Sequence, residues 1–133
     1  MVDTIIEVKE FPNKGRGVVV TKKVTKGETL ERAPISSFPA EQRSKVNSTQ
    51  IFEHYFVDAE QYKSSKNGPG YIVYGLISIV NHSPEPNAEV EWQLDGEEGW
   101  ATLRLLKDLK DGEEVTIAYT NVDEYQNTEH WVA

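Results

Sequence analysis

A small, mainly β fold of short strands broken by frequent turns is the architecture this sequence predicts, and three observations carry it. Val18-Val19-Val20-Thr21 is a β-branched run directly after a glycine, the composition of a buried strand. Ala88 to Trp92 alternates like a half-buried strand, turns at Asp95-Gly96 and is answered by Trp100 to Leu105, the pattern of a hairpin. Short strands with many turns between them favour a mainly β arrangement over repeated strand–helix units.

Taken in order, Ile5, Val8 and Phe11 open the chain, and Pro12-Asn13-Lys14-Gly15 marks a turn. The valine strand follows Gly17, and Lys26-Gly27 is the next turn. Thr29-Leu30-Glu31 starts another short strand, after which Pro34 and Pro39 punctuate a loop. Ala40 to Val46 suits one or two turns of helix, with Pro39 acceptable at its first position. Ile51 to Val57 is ambiguous between helix and strand, with His54 packed among Phe52, Tyr55 and Phe56. Lys63 to Gly70 is a polar connector, and Tyr71 to Val80 is apolar throughout. That apolar run leads into Asn81-His82-Ser83-Pro84-Glu85-Pro86-Asn87, where two prolines force the backbone out of the sheet into one rigid shape. Val115 to Tyr119 is the last clear strand.

One pattern occurs twice. Lys22 to Leu30 and Lys107 to Val115 each place an apolar anchor three residues before a Gly-Glu pair, and a strand follows. The glycine suits a positive-φ turn position, and the anchor can pin that turn to the core. Two related halves of one small fold, or two independent strand-entry turns, would both give this echo.

At 133 residues the chain has the size of one domain. It holds no cysteine, which excludes disulfides, thiolate zinc clusters and a cysteine nucleophile. The three histidines lack metal-site spacing, so no metal is expected. No apolar run reaches the roughly 20 residues that span a bilayer, and the first residues lack the features of a signal peptide; a cytoplasmic protein is expected. A formal charge of −8 opposes nucleic-acid binding, which needs a basic face, and suits a lysine-rich protein partner steered by an acidic surface. Oligomeric state is not encoded in any motif, and a homodimer is compatible with the sequence.

Gly15-Arg16-Gly17 fails as a dinucleotide loop, because Val20 stands where a third glycine is needed and a strand follows in place of a helix. What remains is a turn where backbone can approach a ligand closely, although alone it reads as a tight turn. A serine hydrolase motif is absent. Val115, Ile117 and Tyr119 share one face of an alternating strand, so the Tyr119 phenol extends a buried row and needs a hydrogen-bond partner. Alone, it would be a core tyrosine bonded to a backbone carbonyl.

In this order, the three segments resemble the SET-domain family of protein-lysine methyltransferases. Lys14-Gly15-Arg16-Gly17-Val18 looks like the family's first glycine turn. Val80 to Asn87 matches its Asn-His-Ser-x-x-Pro-Asn signature, and Gly112-Glu113-Glu114-Val115-Thr116-Ile117-Ala118-Tyr119 matches its Gly-Glu-Glu-Leu strand ending in the active-site tyrosine. The resemblance runs from about Phe11 to Tyr119 and looks closest in compactness to short viral and bacterial members, for which a host nucleus is an alternative location.

The resemblance implies a β-clip of small curled sheets with a C-terminal pseudoknot and one or two short helices. It implies one domain over 1–133, with its core at about 11–119 and 120–133 as a tail covering the active site. It implies S-adenosyl-L-methionine held by Gly15, Arg16, Gly17, Asn81 and His82, with Tyr119 as the catalytic residue across one cavity. A lysine of a basic protein substrate would enter an aromatic channel, with Tyr74 the first choice for its wall, ahead of Tyr71, Phe52, Tyr55 and Phe56. Because a free lysine has a pKa near 10.4, losing its proton at neutral pH costs about 4 kcal/mol, which burial beside a sulfonium would reduce. Two features depart from the family. The position after Asn-His-Ser, often cysteine, is Pro84, and there is no zinc-bound tail, so Trp131 or Tyr125 would have to cover the pocket. The alternative reading is a catalytically degenerate SET-like module that binds a protein partner.

Overall fold

The computed structural model describes residues 5–12, 15–46, 55–57, 69–95 and 98–119. In chain order the strands are β1 (Ile6–Phe11), β2 (Gly15–Val20), β3 (Thr29–Phe38), β4 (Tyr55–Phe56), β5 (Gly70–Val73), β6 (Asn81–His82), β7 (Ala88–Asp95), β8 (Glu98–Leu105) and β9 (Glu114–Ile117). They form a four-stranded sheet in the order β1-β2-β9-β6 and a five-stranded sheet in the order β4-β5-β3-β8-β7. Among the described residues, helix is confined to a 3₁₀ turn at Ala40–Gln42 running into Arg43–Val46, and a 3₁₀ turn at Leu76–Ile79. No described helix is long and apolar enough to cross a membrane. The mainly β expectation holds.

The two sheets share one buried cluster, which includes Val18 and Val20 of β2 together with Leu103 and Leu105 of β8. Val18, Val19 and Val20 are all buried, so β2 is covered on both faces, as an unbroken apolar run requires. Each such side chain contributes about 1.5–3 kcal/mol relative to exposure. The β7–β8 hairpin runs in unbroken register from Ala88↔Leu105 to Asp95↔Glu98. Its alternation sets Glu89, Glu91 and Gln93 in solvent and Ala88 in the core.

Two local expectations change, and one open segment is assigned. Pro34 lies inside β3, not in a loop, because that strand changes partners there: Thr29 to Pro34 pair with β8, and Ile35 to Phe38 with β5. The proline's missing N–H falls at the handover, where its carbonyl accepts from the Tyr74 N–H at 3.0 Å. The apolar run before Asn81, which the sequence left unassigned, is strand to Val73 and 3₁₀ at Leu76–Ile79. Pairing is then made by Asn81 and His82 themselves, and the chain leaves the sheet only afterwards, toward Pro84 and Pro86. Pro39 is the cap before the first 3₁₀ turn and not its first residue. His54 and Phe52 lie outside the described residues.

The repeated turn pattern is a repeat in three dimensions. Val24 and Leu109 bridge each other, N–H to carbonyl in both directions, at 3.0 and 2.9 Å. The Gly27 N–H donates to the Leu105 carbonyl, and the Gly112 N–H to that of Val20. In return, the Leu105 N–H reaches the Glu28 carbonyl and the Val20 N–H that of Glu113. Gly27 and Gly112 have φ of 91° and 88°, and each Glu side chain accepts from the backbone N–H three residues earlier. Each half therefore clamps the end of the other's strand, which fixes β9 beside β2.

Candidate functional site

Two-residue β6 is the centre of the site. Asn81 and His82 pair parallel with Thr116 and Ile117 of β9, while β2 pairs with the other edge of β9. A pair this short is held by its flanks. Glu31 of β3 reaches over with both carboxylate oxygens to accept the Leu76 N–H at 3.1 Å and the Ile77 N–H at 2.9 Å. Those are orphan donors of the 3₁₀ turn that precedes β6. A side chain at Gly75 would strike Glu31, with a Cβ only 2.6 Å from its Oε1. Beyond β6, Asn87 ties the proline loop across β9: its Nδ2 donates to the Glu114 carbonyl and its Oδ1 accepts the Thr116 N–H, both at 2.8 Å. The Ser83 N–H bonds to the Ile117 carbonyl at 2.9 Å.

Within that frame, Asn81 Nδ2 donates to the Arg16 carbonyl at 3.1 Å and to Glu114 Oε2 at 2.8 Å. Two acceptors flanking one nitrogen fix the amide orientation, so Oδ1 is the end turned toward any further partner. Gly17 permits this packing, because a Cβ there would lie 2.6 Å from Glu114 Oε2 and 2.7 Å from Asn81 Nδ2. Gly15 has φ of 74°, the left-handed conformation that glycine adopts without strain, and a Cβ there would meet nothing.

His82 Nδ1 accepts the Tyr119 backbone N–H at 2.9 Å, so the neutral ring carries its proton on Nε2. Burial holds this imidazole below its ordinary value of 6.5, which keeps Nδ1 an acceptor. The Tyr119 hydroxyl donates to the Val80 carbonyl at 2.7 Å, and the two rings lie 5.2 Å apart. The expected partner of the phenol is thus a backbone carbonyl, but one that immediately precedes Asn81. His82 and Tyr119 touch as neighbours and do not face each other across an open cavity. Tyr119 also stands two residues beyond the end of β9, not on it.

The structure brings Arg16, Gly17, Asn81, His82 and Tyr119 into one contact network, with Gly15 at its edge. Tyr74 is placed elsewhere: it is 58% exposed and borders a groove with Arg32 and Trp100. Among the described residues, Tyr71 and Phe56 group with Trp92, at 5.3 Å and 5.8 Å, and Tyr55 packs edge-on against Phe38 at 5.2 Å. Trp131 and Tyr125 lie outside the described residues. Sequence reasoning passed over Glu31, Asn87, Glu114 and Trp92. Asn87 and Glu114 lay inside the two matched motifs, so the signal was present; Glu31 and Trp92 had none.

Comparison with known proteins agrees with this fold. The SET domain family pattern matches residues 15–120. A Schizosaccharomyces pombe histone-lysine N-methyltransferase, H3 lysine-37 specific, is 26% identical over 114 residues, covering 86% of this chain and 72% of that protein. Among solved structures, the Neurospora SET domain protein DIM-5, a histone lysine methyltransferase, superposes with a TM-score of 0.62 at 17% identity. That match covers 86% of this chain and 51% of DIM-5. The structure of ctPRC2 in complex with H3K27me3 and H3K27M gives a TM-score of 0.71 at 16% identity, over 97% of this chain and 16% of that one. At these identities the structural likeness speaks for the fold.

Proposed function

The chain belongs to the SET-domain family of protein-lysine methyltransferases, and from that premise we propose that it transfers a methyl group from S-adenosyl-L-methionine to the ε-amine of a lysine in a basic, histone-like protein. The observation that carries this reading is the contact of His82 and Tyr119 beside the Asn81–Glu114–Arg16 network. The donor set suits the cofactor's charges. Arg16 supplies an exposed cation for a carboxylate, while Asn81 Oδ1 and the nearby Glu114 carboxylate suit ammonium and sulfonium. Gly15, Arg16, Gly17, Asn81 and His82 would hold it. When bound, its sulfonium supplies an electrophilic methyl group, so the protein need only align a lysine amine that has given its proton to solvent.

Alignment of that kind can lower a barrier by several kcal/mol. Tyr119 donates its hydroxyl proton to the Val80 carbonyl, so toward an amine N–H its oxygen acts as an acceptor. It therefore orients the amine N–H and is no strong base. His82, neutral, holds the Tyr119 backbone in place through Nδ1. The acidic balance of −8 draws a basic substrate inward. We take 1–133 to be one domain with its core at 11–119.

The test is labelled-cofactor transfer to a panel of basic proteins. Tyr119→Phe should lower the rate by about 10² or more, the size typical of losing one polar group that aligns a transition state, while calorimetric cofactor affinity stays within about twofold. Full activity in that variant would remove Tyr119 from the chemistry. Cofactor that fails to bind the wild-type chain would favour the non-catalytic binding module.

A further inference from the structure

A concave surface lies on the five-stranded sheet, away from β6 and Tyr119, and the proposed chemistry makes no use of it. It is a groove of about 420 Å³ bordered by Arg32, Tyr74, Gln93, Asp95, Glu98 and Trp100. Two aromatic rings that ordinarily bury are exposed here, Tyr74 at 58% and Trp100 at 38%. The Arg32 guanidinium stacks over the Trp100 ring at 3.9 Å and donates to Gln93 Oε1 at 3.4 Å. Arg32 is thus drawn onto the indole, and Asp95 and Glu98 form the acidic end of the groove at the β7–β8 turn.

The balance of charge on this face is negative. Along β7, Glu89, Glu91 and Asp95 alternate onto the solvent side with Gln93, and Arg104 is paired to Glu91 at 2.6 Å. Aromatic faces next to carboxylates favour a cationic side chain on an extended backbone, through cation–π attraction and ion pairing together. Arg32 on Trp100 shows, within the chain, how a guanidinium seats there. Phosphate-bearing partners are disfavoured by the same carboxylates.

We infer that this groove docks an arginine- and lysine-rich segment of the protein substrate at a distance from the lysine that reacts. The inference rests on the proposed function only in identifying the docked protein as the substrate. Docking of this kind raises the local concentration of the reacting lysine, so its loss raises KM and leaves kcat unchanged.

The test uses the whole chain and a short lysine-free arginine–glycine repeat peptide, followed by amide and indole NMR shifts. Shifts should concentrate at Tyr74, Gln93, Glu98 and the Trp100 indole, and Glu98→Lys should weaken binding by about tenfold. Trp100→Ala should do the same, with Glu98→Lys as the variant that keeps the packing intact. Glu98→Lys should leave cofactor affinity unchanged and raise KM for a full-length basic protein. Shifts confined to Phe56, His82 and Tyr119, no shifts at all, or preferential binding of an aspartate-rich peptide at Arg32 would each overturn the inference. Peptide binding needs neither cofactor nor turnover, so a chain that docks the peptide but transfers no methyl group would defeat the functional proposal and leave the groove standing. The reverse result would defeat only the groove.

Discussion

Replacing Gly17 by alanine tests the site at its tightest point. The new Cβ would lie 2.6 Å from Glu114 Oε2, 2.7 Å from Asn81 Nδ2 and 2.8 Å from Phe11 Cε2. Each of these atoms is the tip of a side chain, so rotation can relieve the clash. The rotations, however, separate Asn81 from Glu114, whose bond is 2.8 Å long and charge-assisted. Overpacking costs about 1–3 kcal/mol, and a hydrogen bond to a charged group contributes about 1.5–3 kcal/mol. Because the two are coupled, about 3 kcal/mol is expected, or a fall of roughly 12 °C in Tm for a domain of this size. Gly15→Ala is the control: it meets no atom within 4 Å but holds φ of 74°, so only left-handed strain of about 1–2 kcal/mol applies. Thermal unfolding and calorimetric cofactor titration would separate the two variants. Gly17→Ala should weaken S-adenosyl-L-methionine binding by about tenfold or more, roughly 1.4 kcal/mol, because Asn81 turns. Adding Glu114→Ala to Gly17→Ala should restore part of the lost stability by making room. If Gly17→Ala unfolds with the wild type and binds cofactor equally well, close packing of Gly17 on Asn81 is not what shapes the site.

Three further outcomes follow from the frame around β6. Asn87→Ala strands the Glu114 carbonyl and the Thr116 N–H, and a loss of about 2–4 kcal/mol in urea unfolding is expected. Glu31→Ala frees the Leu76 and Ile77 N–H groups; Glu31→Gln keeps one acceptor and should recover about half of the lost stability, with cofactor affinity changing in parallel. His82 binds a proton less readily when folded than its ordinary value of 6.5, because it is buried. From 6.5 down to the folded value the unfolded chain holds more protons, so this residue's stabilisation is complete above 6.5 and declines as the pH falls through that window. Protonation would also set a donor on Nδ1 against the Tyr119 N–H. Urea midpoints should therefore drop on acidification below 6.5, and His82→Asn should flatten that part of the slope; an unchanged slope would disconnect His82 from it.

Much of the fold is legible residue by residue. The valine run gives β2, alternation in the two flanking segments gives the β7–β8 hairpin, and the repeated Gly-Glu pattern gives two turns of positive φ. These features depend on side-chain branching, burial period and glycine freedom, all of which act over a few residues. The motifs likewise name Gly17, Asn81, His82 and Tyr119 before any coordinate does.

What the letters leave open is decided by partners far away in the chain. Leu76 to Ile79 coil because Glu31, 45 residues from Leu76, accepts their first N–H groups. Asn81 and His82 become strand because β9 offers them an edge, and Tyr119 meets a ring 37 residues distant. Tyr74 faces outward and Trp92 inward because the register of β3, β5, β7 and β8 assigns the faces. A chain segment carries its own turn and period, whereas an edge, a cap or a facing ring belongs to whichever remote segment the shared core brings alongside.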